Sequence, residues 1–199
     1  MNVTAALATY ADLLRASPHN LMSPRGLEEL ESRHFPESLA LARTLPSVDG
    51  GTLRLLDLGS GGGLPGLVVS LARPDLQVHL LESRAKKTAF LEQAAGELGL
   101  TVTIHRGRAE ELSGTGLGAS FDLVTARAVA PLDRLVAWSL PFLVPGGLLY
   151  AVKGERWAEE LDQAAGILQR SGASVVATPV EDEQPDGALR LVIVRRDPR

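Results

Sequence analysis

The stretch LLDLGSGGGLPGL, Leu55 to Leu67, holds five glycines and one proline within thirteen residues. An apolar run, LRLLDL, leads into it from residue 53, and a second apolar run follows it. A short apolar run bounded by glycine is typical of a buried strand, and proline is favoured in the first turn of a helix. We therefore predict a strand, a glycine-rich turn and a helix that begins near Pro65.

The same alternation continues toward the C-terminus. The predicted strands are LRLLDL, LQVHLLE, TVTIHR, FDLVTA and LLYAVK, and the predicted helices cover about residues 65–73, 84–98, 132–140 and 156–169. Strands that alternate with helices indicate a parallel sheet covered on both faces. The last two strands, ASVVATPV and LRLVIVRR, are joined only by the polar EDEQPDGA. Because no helix separates them, we expect a hairpin and therefore one antiparallel strand near the C-terminus.

Residues 1–50 are predicted to form a helical extension. One face of a first helix carries Leu7, Tyr10, Ala11 and Leu14. Ser23 and Pro24 are typical of the start of a second helical stretch that runs toward Leu45, and Pro36 should break or bend it. We expect this extension to pack on residues 51–199, which form the ligand-binding domain, in a single structural domain overall.

Composition narrows the class of protein. The chain has 199 residues, no cysteine, a net charge of −4 and a pI near 5.6. The absence of cysteine excludes disulfides and thiolate metal sites, and fits the cytoplasm. The N-terminus has charged residues, Asp12 and Arg15, among its apolar positions, and no long apolar run follows. We therefore expect neither a signal peptide nor a membrane span, and favour a soluble monomer.

Two kinds of ligand suit the glycine turn. Gly61, Gly63 and Gly66 satisfy the pattern G-x-G-x-x-G, which is typical of dinucleotide-binding turns. Asp57 argues against a dinucleotide, because a carboxylate beside the turn would repel a pyrophosphate. The same carboxylate would attract the ammonium group of an amino-acid ligand, whose carboxylate suits the helix N-terminus. S-adenosylmethionine carries both groups, so we predict it as the ligand, with NAD as the alternative.

Glu82 ends the second predicted strand and should lie beside the glycine turn. A carboxylate at this point can accept hydrogen bonds from both ribose hydroxyls. NAD would use the same residue, so Glu82 indicates a nucleoside ligand without separating the two candidates. The segment RAEEL after the third strand, with the Ala109 backbone and Glu110, is predicted to flank the adenine.

These motifs together resemble one protein family. The stretches LDLGSGGGLPGL, LLESRAKKTAFL, GRAEEL, FDLVTARAVAPL and YAVKG, with HNLMSP and RHFPESLAL upstream, are similar to the bacterial ribosomal small-subunit RNA methyltransferase G family, also called glucose-inhibited division protein B. The resemblance covers nearly the whole chain from about Tyr10. It implies a class I S-adenosylmethionine-dependent methyltransferase fold and methylation of N7 of one guanine in the decoding-region loop of 16S rRNA.

The resemblance also implies which residues bind the cofactor. By position, the family's contacts fall on Gly59, Leu64, Ala109, Glu110 and Arg127, with Glu82 in the ribose-binding role. Several positions depart from the family pattern. Met22 replaces the usual threonine, Glu37 replaces an aspartate, and a tryptophan-asparagine pair is missing before HNL. The Arg-His pair that often opens the last strand is also missing, with only Arg190 nearby. These departures bear on RNA docking more than on cofactor binding.

The residues present favour guanine N7 over other target atoms. Methylation of pyrimidine carbon five by the usual route needs a cysteine nucleophile, which the chain lacks. Methylation of an exocyclic amine usually accompanies an Asn/Asp-Pro-Pro-aromatic turn, where this chain reads TARAVAPL. Guanine N7 carries no proton, so transfer needs positioning and desolvation but no general base. Arg127 is our candidate for orienting the cofactor or the guanine.

Basic residues near the carboxyl edge of the predicted sheet are candidates for RNA contact. They are Arg84, Lys86, Lys87, Arg106, Arg108, Arg134, Lys153 and Arg156. His34 and His105 lack metal-ligand spacing, so we predict no metal site. The aromatic residues Phe35, Phe90, Trp138 and Trp157 are expected to serve packing. A methyltransferase of a small molecule or protein, and a nucleotide-binding Rossmann protein without methyl transfer, remain alternatives.

Overall fold

The computed structural model describes residues 2–47, 50–178 and 189–198. The strands are β1 (Leu53–Leu58), β2 (Leu76–Glu82), β3 (Thr103–Arg106), β4 (Phe121–Arg127), β5 (Leu143–Val152), β6 (Ala173–Ala177) and β7 (Leu191–Arg196). The helices are α1 (Val3–Ala16), α2 (Pro24–Glu28), α3 (Phe35–Thr44), α4 (Gly66–Ala72), α5 (Ala85–Glu97), α6 (Ala109–Leu112), α7 (Leu132–Ser139) and α8 (Trp157–Ser171). A π-helical turn covers Leu30–His34, and a 3-10 turn covers Leu140–Phe142.

All seven strands form one sheet in the order β3-β2-β1-β4-β5-β7-β6. β1 to β5 pair in parallel, and β7 pairs antiparallel with both β5 and β6. The predicted mostly parallel sheet with one antiparallel strand near the C-terminus is therefore confirmed. β7 lies inside the sheet, so β6 is the edge strand on this side and β3 is the edge strand on the other. The predicted connection EDEQPDGA, residues 181–188, lies outside the described residues.

The strand order places a ligand crevice at the carboxyl ends of β1 and β4. From β1 the chain continues to β2 and β3 on one side, and it then crosses to β4 on the other side. Such a reversal leaves a crevice outside the carboxyl ends of the two central strands. The glycine-rich turn follows β1 directly, as predicted from the sequence.

Apolar residues cover both faces of the sheet. Along β1, Leu55 belongs to the cluster that packs with α1, α3, α4 and α5, and its neighbour Leu56 belongs to the cluster under α6, α7 and α8. This alternation follows from the two-residue period of a strand. Four residues of α1 lie in the first cluster, namely Ala6, Tyr10, Ala11 and Leu14, and residues of α3 join them. The N-terminal helices thus share one core with the sheet.

The predicted break near Pro36 is a wide π-helical turn. Ser23 caps α2 by accepting a hydrogen bond from the Gly26 N–H at 3.1 Å, as its position before Pro24 predicts. The His34 N–H then reaches back five residues to the Glu29 carbonyl, at 3.1 Å. Proline cannot donate a backbone hydrogen bond and crowds the preceding turn, which favours such an irregularity before it.

Candidate active site

The glycine-rich turn is fastened to the neighbouring strand. The N–H groups of Gly59 and Ser60 donate to the Leu81 carbonyl at 2.9 and 3.0 Å. Gly59 has a φ of +73°, a left-handed conformation that residues with a Cβ rarely adopt. A Cβ at Gly59 would also lie 2.8 Å from Val129 Cγ2. The backbone conformation and the close neighbour both require glycine here.

Asp57 supports this turn from beneath. The residue is 1% exposed, its Oδ1 accepts a hydrogen bond from the Thr125 hydroxyl at 3.0 Å, and its Oδ2 accepts one from the Gly66 N–H at 3.2 Å. Burial raises the pKa of Asp57 to about 6, against the opposing effect of these hydrogen bonds. Both oxygens thus have protein donors, and these hydrogen bonds fix the start of α4 under the turn. The attraction of a ligand ammonium to this carboxylate stays a prediction.

Glu82 holds the turn from the side of β2. It is 7% exposed, and its Oε2 accepts a hydrogen bond from the Gly61 N–H at 3.1 Å. Its Oε1 accepts from the Arg84 N–H at 2.8 Å and from the Ser83 hydroxyl at 3.3 Å. A carboxylate has about four lone-pair sites, so Glu82 retains capacity for a ligand hydroxyl.

A cavity of about 380 Å³, here called the loop cavity, lies at this crevice. It brings together four of the predicted cofactor residues, Gly59, Glu82, Ala109 and Glu110. The other wall residues are Leu58, Leu81, Ser83, Gly107, Arg108, Val129, Arg134 and Trp138. A volume of this order is within the range of small-molecule sites.

The remaining predicted cofactor residues lie outside this wall. Gly61 contributes through its hydrogen bond to Glu82, and Leu64 is 6% exposed within the core. Arg127 ends β4 and lines a second cavity of about 470 Å³, here called the arginine cavity. Its wall consists of Arg33, His34, Glu37, Arg127, Ala128, Val129, Ala130, Pro131, Val152, Lys153, Gly154 and Glu160.

Residues of the N-terminal helices fix the position of Arg127. One guanidinium nitrogen lies 2.7 Å from His34 Nδ1 and 3.6 Å from a Glu37 carboxylate oxygen. An arginine can only donate, so Nδ1 of His34 must accept and therefore carries no proton in this arrangement. Arg127 thus has a fixed direction, set by a neutral imidazole and a carboxylate.

The charged states of Glu37 and Arg127 depend on the groups around them. Burial alone would raise the pKa of Glu37, but Arg33, which donates a hydrogen bond to its carboxylate, and the charge of Arg127 hold it below its usual value. Burial lowers the pKa of Arg127, while Glu37 acts in the opposite direction. An arginine nevertheless keeps its proton in folded proteins. The cavity therefore presents a cation whose counter-ion is ionised near neutral pH.

Lys153 lies on the same wall and already has protein partners. Its Nζ is 2.6 Å from a Glu160 carboxylate oxygen and donates to the Ala130 carbonyl at 3.0 Å. A charged residue at the end of a buried strand needs such a partner. Glu160 also accepts a hydrogen bond from the Leu132 N–H at 2.9 Å. The lysine therefore ties β5 to α7 and α8 at the cavity rim.

Three of the predicted RNA contacts cluster at the start of α5. Arg84, Lys86 and Lys87 line a further cavity of about 380 Å³ with Pro18, His19, Asn20 and Ala85. Lys87 Nζ donates to the Leu21 carbonyl at 3.3 Å, whereas Arg84 and Lys86 are exposed. Arg134 lies apart from this cluster, on the loop cavity. The side chains of Arg106, Arg108 and Arg156 are exposed.

The other singled-out residues have structural surroundings. His105 Nε2 lies 2.9 Å from His79 Nδ1, and burial with the charge of His105 lowers the pKa of His79 to about 4. Phe35 and Phe90 are buried, as expected of packing residues. Trp138 packs at the loop cavity, and the partly buried Trp157 packs on the cluster under α8.

Three contributors to the site do not follow from the sequence motifs. His34 has no metal-ligand spacing, yet it holds Arg127 from a position 93 residues away. Tyr10 lies on the apolar face of α1, yet its hydroxyl donates to the Gly62 carbonyl of the glycine turn at 2.5 Å. Val129 lies between the two cavities and was not singled out. The spacing of His34 and Glu37 within RHFPES, three residues apart on a helix, was the available signal.

The described residues contain neither a metal-binding cluster nor a membrane-spanning helix. Across residues 2–47, 50–178 and 189–198, no three histidine, aspartate or glutamate side chains come together as a set that could hold a metal ion. No helix in those ranges has both the length and the apolar character needed to cross a membrane.

Solved structures share this fold at low sequence identity. An O-methyltransferase from Streptomyces achromogenes, TomG, in complex with S-adenosylmethionine, matches 96% of this chain and 89% of its own, with a TM-score of 0.57 and 17% identity. A branched-chain polyamine synthase mutein from Thermus thermophilus matches 96% of this chain and 64% of its own, with a TM-score of 0.64 and 17% identity. A fold shared by a methyltransferase and a synthase does not by itself determine the reaction.

Sequence comparison is more specific. A ribosomal RNA small subunit methyltransferase G from Salinispora tropica is 48% identical over 170 residues, which cover 82% of this chain and 69% of the relative. The protein of the same name from Sorangium cellulosum is 44% identical over 179 residues, which cover 88% of this chain and 74% of the relative. The family model described as rRNA small subunit methyltransferase G matches residues 4–188. The predicted resemblance is confirmed, and the chain belongs to the rRNA small subunit methyltransferase G family.

Proposed function

We propose that this protein transfers a methyl group from S-adenosylmethionine to N7 of a guanine in the decoding-region loop of 16S rRNA. The observation that carries the proposal is the pair of adjoining cavities, one at the glycine turn and one around a fixed arginine. Family membership supports an rRNA substrate. Such a substrate places the reaction in the bacterial cytoplasm.

The loop cavity suits a nucleoside cofactor. Gly59 leaves backbone uncovered at its wall, Glu82 offers a carboxylate for ribose hydroxyls, and Ala109 with Glu110 closes the adenine side. Asp57 and Gly61 act by shaping the turn, which the hydrogen bonds to Gly66 and Glu82 support. When bound, S-adenosylmethionine supplies the methyl group on a sulfonium.

The arginine cavity suits the acceptor edge of guanine. Arg127 is a donor of fixed direction, and guanine presents two acceptors, O6 and N7, on one edge. Glu37, on the cavity wall, is a poor base for proton removal, because its pKa is low and its carboxylate is already paired with Arg127. A ring nitrogen without a proton needs no base. The residues therefore favour N7 through orientation and exclusion of water.

Exposed cations extend from the two cavities along the same edge of the molecule. We assign Arg84, Lys86 and Lys87 to contact with RNA phosphates, with Arg134 beside the loop cavity. Lys153 is assigned to the cavity wall, since Glu160 and Ala130 already engage its ammonium. Phosphate contacts of this kind position the RNA, and the cavity selects the base.

Transfer of labelled methyl from S-adenosylmethionine tests the proposal. Assembled 30S subunits and naked 16S rRNA are supplied separately, and the modified base is mapped. Label on N7 of one decoding-region guanine is expected, and the two substrates show which form is recognised. Label confined to protein or small molecules would overturn the proposal. Calorimetric binding of NAD without binding of S-adenosylhomocysteine would favour the nucleotide-binding alternative.

Arg127→Ala tests the role of the arginine. We expect kcat/KM to fall about 100-fold, because removing the orienting donor misplaces the base by an ångström or so. Arg170→Ala, an exposed change of equal charge on α8, is the matched control. Equal activity of the two variants would exclude Arg127 from the site. Unchanged circular dichroism would show that Arg127→Ala stays folded.

A further inference from the structure

Val129 is shared by the two cavities. Among the described residues that line them, it is the only one that lines both the loop cavity and the arginine cavity. Its neighbours belong to one side each: Gly59 to the loop cavity, Arg127 and Ala130 to the arginine cavity. The two cavities therefore adjoin at Val129.

The backbone around Val129 holds it in this position. Ala128, directly before it, has a φ of +54°, a left-handed conformation that is uncommon outside glycine. Such residues persist only where the surrounding structure determines them, and they concentrate at functional sites. On the other side, Val129 packs against bare backbone, since a Cβ at Gly59 would lie 2.8 Å from its Cγ2 and 3.2 Å from its Cγ1. The valine is thus fixed by a strained residue and by a required glycine.

The shape of valine suits a dividing wall. A β-branched side chain has one strongly preferred rotamer in many settings, so its two methyl groups have defined positions. It offers no donor, acceptor or charge to either cavity. An apolar, stiff residue can therefore fix the distance and the line of approach between two bound molecules without reacting with them.

We propose that Val129 determines how closely and in which direction the target base approaches the methyl donor. The inference rests on the proposed function, because it takes the loop cavity as the donor site and the arginine cavity as the base site. In the transfer, the N7 lone pair forms the new carbon–nitrogen bond as the carbon–sulfur bond breaks. The positive charge passes from sulfur to the guanine ring, and no proton leaves.

Two substitutions separate shape from chemistry. Val129→Ala removes both methyl groups and widens the passage, whereas Val129→Thr keeps the branched shape and adds a hydroxyl. We expect Val129→Ala to lower kcat for 30S methylation about 10- to 100-fold, because small errors in the position of reacting atoms have effects of this order. Val129→Thr should lose at least about threefold less kcat than Val129→Ala, because it restores the branched shape that holds the reacting atoms in position.

Calorimetry with S-adenosylhomocysteine provides a readout that does not depend on turnover. If Val129 acts on approach rather than on donor binding, the Kd of S-adenosylhomocysteine should change less than about threefold in Val129→Ala, and KM for the subunit should change little. The inference would be overturned if Val129→Ala lost about tenfold in affinity for S-adenosylhomocysteine, in step with its loss of kcat. Val129 would then belong to the donor site alone.

The outcomes also distinguish this inference from the proposed function. Methylation of guanine N7 by the unsubstituted protein, with equal kcat in Val129→Ala, overturns the role of Val129 and leaves the proposed function standing. Slow methylation by Val129→Thr as well as Val129→Ala overturns the argument from shape. Failure of the unsubstituted protein to label any RNA overturns the proposed function, and this inference with it.

Discussion

At the scale of single residues, Asp57 has a structural role that its place in the sequence motif does not predict. The sequence places an acid two residues before the first glycine, and charge alone suggests attraction of a ligand ammonium. The structure gives both carboxylate oxygens to protein donors, Thr125 and Gly66. Hydrogen bonds from residues far along the chain decide which way a side chain faces, and spacing does not contain that information.

Asp57→Asn tests the buried charge. In the folded protein the pKa of Asp57 is raised from 3.8 to about 6, so the folded state holds a proton that the unfolded state releases between these values. The free energy of unfolding therefore falls as pH rises through this window, by up to about 3 kcal/mol at about 1.4 kcal/mol per unit. Relative to Asp57→Asn, the unsubstituted protein should lose stability from pH 4 to pH 7. Urea unfolding at both pH values measures this, and parallel curves would contradict it.

Residue positions were predictable where they follow from the ends of adjacent strands. Gly59 and Glu82 stand at such ends, and both lie at the loop cavity. The partners of Arg127 were not predictable from its own segment, because His34 and Glu37 reach it from a different helix. Only the spacing within RHFPES, and its resemblance to a family motif, pointed toward them.

At the scale of elements, the periodic patterns predicted the strands and helices well. The helix predicted over 84–98 is observed at Ala85–Glu97, and the one predicted over 132–140 at Leu132–Ser139. Apolar period and capping are local properties, so they fix element type and approximate bounds. The insertion of β7 between β5 and β6 is a long-range pairing, which local pattern does not determine.

Helix α1 contacts the glycine turn through Tyr10, and Tyr10→Phe tests that contact. The buried Tyr10 hydroxyl donates to the Gly62 carbonyl. Its loss leaves a buried acceptor without this donor, and we expect the free energy of unfolding to fall by about 1–3 kcal/mol. Because the acceptor belongs to the glycine turn, affinity for S-adenosylhomocysteine should fall as well.

Tyr150→Phe is the matched control for that change. Tyr150 is 4% exposed on β5, and no hydrogen bond of its hydroxyl is present within the described part of the chain. Its substitution should leave ligand affinity unchanged. Urea unfolding and calorimetry with S-adenosylhomocysteine measure both effects. Equal ligand affinity in the two variants would show that α1 does not support the turn.

At the scale of the whole molecule, charge is unevenly placed on an acidic chain. The net charge is −4, yet Arg84, Lys86 and Lys87 gather at one cavity whose wall contains no carboxylate among the described residues. Binding of a polyanion to an acidic protein requires such a local surface. If RNA binds at this surface, its affinity for the protein should fall as the salt concentration rises.

We expect the double variant Arg84→Ala and Lys86→Ala to bind 16S rRNA more weakly and with less dependence on salt. Each lost phosphate contact should reduce the slope of log affinity against log salt by about 0.7–0.9. The control, Arg170→Ala with Arg195→Ala, removes equal charge from exposed positions away from that cavity. Filter binding at several salt concentrations measures both slopes. Identical slopes would remove this cluster from the RNA surface.

The shared core of the N-terminal helices has a consequence for how the protein can be divided. A fragment that begins after residue 50 would keep every strand of the sheet, yet it would lose Tyr10 from beneath the turn and His34 and Glu37 from beside Arg127. The boundary between the N-terminal extension and the sheet domain thus runs through the candidate active site. Shortened versions made for crystallisation or for inhibitor screening would lose these contacts together with part of the shared core.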